Sequence, residues 1–272
     1  VRVVLIAQVL PAVQALHGLL RQYGHEPVAL LTTREHAERY ESVLSALLRD
    51  APSDLDVVIP SGRSRIAPLL RAFDPDVCFC SGFPWKIPAD AIAVARSGIV
   101  NGHPSLLPRY RGPSPVSWAI REGETEVGFT FHYMDAELDT GNVLAQTTIP
   151  LGDERSWDDL IPKLGSAVGE LFPRVLERLE SDDPGDPQPE GGFYHSFFEP
   201  EYAWIDWSRP AVEIERQVRA WGFHPPVEGD RGALAEIDGE TVRILRVSLE
   251  QADGTPRECG DGTLWIVETE PA

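Results

Sequence analysis

Lysine is nearly missing from this chain: only Lys86 and Lys163 occur in 272 residues. With 24 basic against 43 acidic residues the formal net charge is -19, which repels polyanions overall and leaves local arginine clusters as the places where one could dock. Cysteine is scarce too. The three present, Cys78, Cys80 and Cys259, are odd in number and too few for a disulfide framework, so a reducing, cytoplasmic setting is expected. Cys78 and Cys80 have no matching Cys/His pair nearby and read as small core residues, so no metal is expected. No apolar run reaches membrane-spanning length, and Gln8 and Pro11 interrupt the one leader-like stretch at residues 1–20. Glycine is absent where a dinucleotide site would need it. The turn after the first apolar run is Gln8-Val9-Leu10-Pro11, which keeps the backbone from a pyrophosphate.

What is present is an ordinary globular composition, 42% hydrophobic and 25% charged, long enough for one large and one small domain. Residues 2–7 form a continuous apolar run of strand length, and Leu10, Val13, Leu16 and Leu20 follow at helical spacing up to Gly24. The alternation continues: strands at 26–31, 55–59 and 76–81, helices at 34–48 and 66–73, then a short strand from residue 97 to 100. It predicts an α/β fold with a Rossmann-like, mostly parallel sheet. Residues 127–133 and 143–149 read as further strands. A helical stripe then runs through Leu160, Leu164, Val168, Leu171, Val175 and Leu179, with Pro173 expected to kink or split it.

Residues 182–192 are rich in Pro, Gly and Asp and are read as a linker between a domain at 1–181 and a smaller one at 193–272. The second part opens with a helix carrying Ile214, Val218 and Trp221. It ends in strands at 234–237, 241–247 and 263–267 joined by Asp-Gly turns, which predicts a small, mainly-β, barrel-like domain.

The strand at 97–100 leads into Asn101-Gly102-His103-Pro104-Ser105-Leu106-Leu107-Pro108-Arg109-Tyr110-Arg111-Gly112, and Leu138-Asp139-Thr140-Gly141 follows downstream. Strand side chains alternate faces, so Asn101 and His103 project the same way. The carboxyl end of a parallel strand is where open α/β sheets bind ligands. His132, inside a strand, is read as packed or solvent-facing.

These two motifs, in this order, resemble the folate-dependent formyltransferase family, in the branch of methionyl-tRNA and sugar-nucleotide formyltransferases. The resemblance spans nearly the whole chain and is strongest from 77 to 146. It implies that Asn101, His103 and Asp139 are catalytic, that 10-formyltetrahydrofolate is the formyl donor, and that the small tail barrel follows a linker helix. It further implies that two loops hold the pterin ring. Phe83, Trp85 and Ile87 belong to one; Met134, Glu137 and Leu138 belong to the other.

The chemistry suits those residue types. An amine attacking a formyl carbon creates an oxyanion that Asn101 can receive, while His103 can shuttle a proton and Asp139 can orient it, directly or through water. The acidic charge disfavours nucleic acid, so a small amine or hydroxylamine is the expected acceptor, such as an amino sugar or another building block of secondary metabolism. Ser105 and Arg109 are candidate acceptor contacts, with Arg109 equally readable as a solvated loop arginine. Methionyl-tRNA ranks second. The same residues could also serve a 10-formyltetrahydrofolate hydrolase or a non-catalytic folate-binding protein.

Overall fold

The computed structural model describes residues 1–34, 41–224 and 232–272, with side chains omitted at 41–43. In chain order the elements begin with β1 (Arg2–Ala7), α1 (Leu10–Gln22), β2 (Glu26–Leu31), α2 (Glu41–Asp50) and β3 (Asp56–Val58). Then come α3 (Ile66–Phe73), β4 (Val77–Ser81), α4 (Ala89–Ile92), β5 (Ile99–His103), α5 (Pro115–Arg121), β6 (Glu126–Tyr133), β7 (Val143–Pro150) and α6 (Trp157–Glu180). The chain ends with α7 (Ala211–Gly222), β8 (Ala233–Ile237), β9 (Glu240–Ser248), β10 (Thr255–Cys259) and β11 (Gly262–Pro271).

The predicted α/β class is what the chain adopts: a seven-stranded sheet in the order β3-β2-β1-β4-β5-β6-β7, and a separate four-stranded sheet in the order β10-β11-β9-β8. Strands β3 to β5 pair parallel, β6 runs antiparallel to β5, and the pairs of the small sheet are all antiparallel. The helix predicted over 34–48 is helical from Glu41 to Asp50, and residues 35–40 lie outside the described residues. Pro173 does not split α6, which runs unbroken from Trp157 to Glu180 with a second proline, Pro162, also inside it.

Alternation along the strands distributes the core over both faces of the sheet. On one face Val4, Ile6, Ala29, Leu31, Cys78 and Cys80 pack with Ile66, Ala67 and Leu70 of α3. On the other, Phe79 meets Phe172 of α6 with ring centroids 5.5 Å apart and Phe131 of β6 at 6.3 Å. Burying each such aromatic contributes on the order of 1.5–3 kcal/mol. The two thiols of β4 are inert members of this core, since burial pushes both Cys78 and Cys80 up to about 12.

The chain divides into two compact units. One comprises Val1–Arg109, Gly128–Ile149 and Ile161–Gly192, and the other Tyr110–Val127, Pro150–Leu160 and Phe193–Ala272. Within the second, α5 packs on α7, and Arg121 lies over the rings of Trp118 and Tyr202 while pairing with Glu199.

Candidate active site

The site is assembled where β5 meets β6. Asn101 and His103 lie two apart on β5, on the face shared with Ile99 and Cys80. Between them Gly102 faces the opposite side, where an added Cβ would sit 2.8 Å from the ring of Phe129. A side chain there would push β5 away from β6, so the glycine is required by close packing.

Antiparallel register sets Asn101 opposite His132 and His103 opposite Thr130. This brings in a residue that sequence reading left out of the site. His132 is packed, the first of the two expectations for it, and at 1% side-chain exposure its Nε2 lies 3.1 Å from Asn101 Nδ2 and its Nδ1 lies 2.8 Å from the Tyr133 carbonyl. A carbonyl can only accept, so Nδ1 carries the ring proton and Nε2 accepts from the Asn101 amide. Burial, then the neighbouring His103, lower the His132 pKa to about 4, against the opposing pull of Asp139. The ring is neutral near pH 7 and fixes the Asn101 amide, whose second N–H remains a donor to another group. The available signal was the alternation of β6, which puts Thr130 and His132 on one face, but the pairing register was needed to aim them.

Asp139 reaches both imidazoles. Its Oδ1 is 3.8 Å from His103 Nδ1 and 3.7 Å from His132 Nε2, beyond hydrogen-bond length but within strong electrostatic reach. The backbone at Asp139 is left-handed, with φ of 59°, which costs of order 1 kcal/mol for a non-glycine residue unless neighbours hold it. They do. Asp135 Oδ1 accepts from the Glu137 amide and the Thr140 hydroxyl, and Gln188 Nε2 donates to the carbonyls of Asp139 and Gly141 at 2.9 and 2.8 Å. Gly141 is pressed so closely on β6 that a Cβ there would fall 1.9 Å from the Tyr133 carbonyl oxygen.

The segment carrying Gln188, read from sequence as a linker, is secured to this loop's far end. Asp186 and Val143 exchange backbone hydrogen bonds at 2.8 Å, and Arg178 binds both the Val143 carbonyl and the Asp186 carboxylate. Composition marked this stretch as a break between domains but said nothing about what it would hold.

The remaining candidates fall around the site in distinct ways. Ile87 is buried in the core at 2% exposure, with half-buried Phe83, Trp85 and Met134 packed against the same cluster. Glu137 and Leu138 are exposed, and Glu137 lies 4.0 Å from Lys86, linking the two loops electrostatically. Ser105 is buried, and its hydroxyl donates to the Arg109 carbonyl at 2.8 Å while its own carbonyl accepts from Thr130. Its side chain thus shapes the turn after β5. Arg109 is exposed. Among the described residues no group of three or more His, Cys, Asp or Glu is placed to hold a metal ion, and no helix is long and apolar enough to cross a membrane.

Comparison with known proteins identifies the family of the chain. Residues 3–176 match the formyl transferase family and residues 198–272 match the formyl transferase C-terminal domain. A methionyl-tRNA formyltransferase of Myxococcus xanthus (strain DK1622) is 33% identical over 216 residues, covering 74% of this chain and 67% of the relative. The chain spans about two thirds of the length of such curated relatives, 63% in a second case. Among solved structures, HypX from Aquifex aeolicus in complex with tetrahydrofolic acid superposes with a TM-score of 0.71 at 20% identity, covering 98% of this chain and 44% of that one. A sugar N-formyltransferase from Shewanella sp. FDAARGOS_354 superposes with a TM-score of 0.69 at 17% identity, covering 93% and 99%. At these identities the structural matches establish the fold.

Proposed function

The chain belongs to the formyl transferase family, and on that premise we propose that it transfers the formyl group of 10-formyltetrahydrofolate to the amine or hydroxylamine nitrogen of a small molecule. The observation that carries the reading is the convergence of Asn101, His103, His132 and Asp139 at the carboxyl end of β5, with one carboxylate oxygen within 4.0 Å of both imidazoles.

In this reading the acceptor nitrogen bonds to the formyl carbon, the carbonyl oxygen takes the negative charge, and the carbon–nitrogen bond to the donor then breaks. The acceptor loses one proton and the departing donor nitrogen gains one. Asn101, its amide fixed by neutral His132, directs an N–H at the oxyanion. His103 moves the proton, and Asp139 stabilises the imidazolium that forms. The loops bearing Phe83, Trp85 and Ile87 and bearing Met134, Glu137 and Leu138 flank the donor. Half-buried Phe83 and Met134 offer a planar ring apolar surface, and Ile87 supports that wall from the core. The HypX structure holds tetrahydrofolic acid, which supports a folate donor. Residues 1–181 are assigned the chemistry, with 193–272 accessory to it.

The preference for a small acceptor rests on charge: at -19 with two lysines, phosphate-rich tRNA is disfavoured. Methionyl-tRNA is the second reading, favoured by the names of the curated relatives. The test is an amine panel with 10-formyltetrahydrofolate, following released tetrahydrofolate by absorbance and formate separately. Amine-dependent release supports the proposal; formate release without amine marks a hydrolase, and folate binding without turnover marks a binding protein. Formylation of methionyl-tRNA with kcat/KM of roughly 10⁴ M⁻¹s⁻¹ or more would replace the small acceptor with tRNA.

A further inference from the structure

The stretch at 182–192, a linker by composition, touches both loops that carry the reacting groups. Gln188 donates to the carbonyls of Asp139 and Gly141. Further along, Gly192 stands so close to the loop leaving His103 that an added Cβ would fall 2.2 Å from the Pro108 carbonyl oxygen. Its φ of +80° is one that glycine adopts without strain. Between Gln188 and Gly192 the chain therefore meets the Asp139 side of the site and then the His103 side.

What fixes this stretch is Arg178, in the last turn of α6. Its side chain is only 14% exposed, and its guanidinium reaches the Val143 carbonyl at 3.1 Å, the Asp186 carboxylate at 2.8 Å and the Asp183 carboxylate at 3.6 Å. Val143 opens β7 directly after the Asp139 turn, so one planar fork ties the start of the stretch to the end of that turn. Its neighbours add to the seam. Tyr133 Oη donates to the Asp183 carbonyl at 3.1 Å, and Asn142 Nδ2 donates to the Pro184 carbonyl at 2.9 Å. With Asp186 held on Val143 by two backbone hydrogen bonds, the chain is already in register when it delivers Gln188 to the turn.

We infer that residues 182–192 are a brace that sets the spacing of His103 and Asp139, and that Arg178 is the positioning residue that clamps it. The inference rests on the proposed formyl transfer for its effect on turnover. In the clamped arrangement Asp139 Oδ1 stands 3.8 Å from His103 Nδ1 and 3.7 Å from His132 Nε2. Releasing the clamp lets the turn relax and weakens the field on the imidazolium that forms at His103. A flexible tether has no such influence, since only its length and stiffness matter.

The experiment is a double-mutant cycle on kcat, expressed per site counted by titration with a stable folate analogue. Arg178→Met, which keeps an unbranched stem and removes the fork, is made in the wild-type chain and in Gln188→Ala. In the wild-type chain it should lower kcat per site roughly tenfold or more while leaving donor affinity within about twofold. In the Gln188→Ala background the same change should cost less than about threefold, because the clamp acts through that amide. A full loss in both backgrounds overturns the inference, as does a wild-type kcat in Arg178→Met. Asp186 is 68% exposed, so Asp186→Ala should fold even if Arg178→Met does not, and it should lower kcat by about threefold. An undiminished kcat there also overturns the clamp. The second readout needs no donor. Ring C–H signals of His103 and His132, assigned by their loss in His103→Gln and His132→Gln, should shift the same way in Arg178→Met and Gln188→Ala. A purely stabilising role would leave the signals of the folded molecules in place, and unmoved signals overturn the brace. Formyl transfer to no amine at all would sink the reaction and leave the ring signals to decide the brace.

Discussion

The side-chain amide of Gln188 donates both of its hydrogens to one turn, reaching the carbonyls of Asp139 at 2.9 Å and Gly141 at 2.8 Å across 49 and 47 residues of sequence. The first of those carbonyls belongs to the residue that reaches both imidazoles, so an amide in a loop far along the chain governs where the site's carboxylate stands. Replacing Gln188 by Ala is expected to lower kcat by roughly tenfold or more, since two part-buried carbonyls lose donors worth about 1 kcal/mol each. Gln188→Glu, which keeps the size but cannot donate when ionised, should be no better than Ala. Steady-state rates alongside donor binding check this: a kcat loss without a matching loss of donor affinity is expected, and a wild-type kcat in both variants would show that the turn holds itself.

Asn101→Ala, His103→Ala and Asp139→Asn should each reduce turnover by on the order of 10² to 10³ or more while leaving donor affinity largely intact, because in the proposed mechanism they act on charge that develops during the reaction. Their combination should be far from additive. Rates with calorimetry on a stable folate analogue are the measurement, and near wild-type turnover in any one variant would remove that residue from the machinery.

His132 couples stability to pH. Its folded pKa is lowered to about 4 from the ordinary 6.5, so between those values the unfolded chain takes up a proton that the folded one refuses. The stabilisation is fully present above about pH 6.5 and is lost as pH falls toward about 4, amounting to on the order of 3 kcal/mol. Denaturant unfolding across that window should show the slope, and His132→Gln should flatten it. A His132→Gln variant that keeps the full slope would assign it to other groups.

Two glycines separate close packing from mere tolerance. Gly141→Ala places a methyl 1.9 Å from a backbone oxygen, and a loss of about 2 kcal/mol or more is expected, with a fall in turnover because the Asp139 turn must move. Gly165 is an exposed residue inside α6 with nothing within 4 Å of an added Cβ, so Gly165→Ala should stabilise by about 0.5–1 kcal/mol. Thermal melts of the two variants should move in opposite directions.

Much of the fold was legible in the sequence because local periodicity carried it. The apolar runs that became β1, β2 and β4 and the spacing of Val13, Leu16 and Leu20 in α1 are patterns that burial enforces directly. Strand β10 was not legible: Thr255-Pro256-Arg257-Glu258-Cys259 is exposed and polar, and it becomes a strand only through pairing with β11. At the site, Asn101 and His103 could be read from their own strand, whereas His132 entered through the register of a second strand and Gln188 through a nonlocal pair of hydrogen bonds. Both are facts of tertiary pairing, which neither composition nor period encodes.

The antiparallel match of Asn101 with His132 has a practical consequence for anyone preparing the protein. A slip of one residue between β5 and β6 would turn Phe131 toward Asn101 and send His132 to the aromatic side, with no intermediate arrangement that half-works. Misassembled molecules are therefore silent, not slow. Specific activity of a preparation then reflects the fraction of correctly threaded chains as well as their chemistry, and counting sites by titration with a folate analogue separates a variant that lowers the first from one that lowers the second.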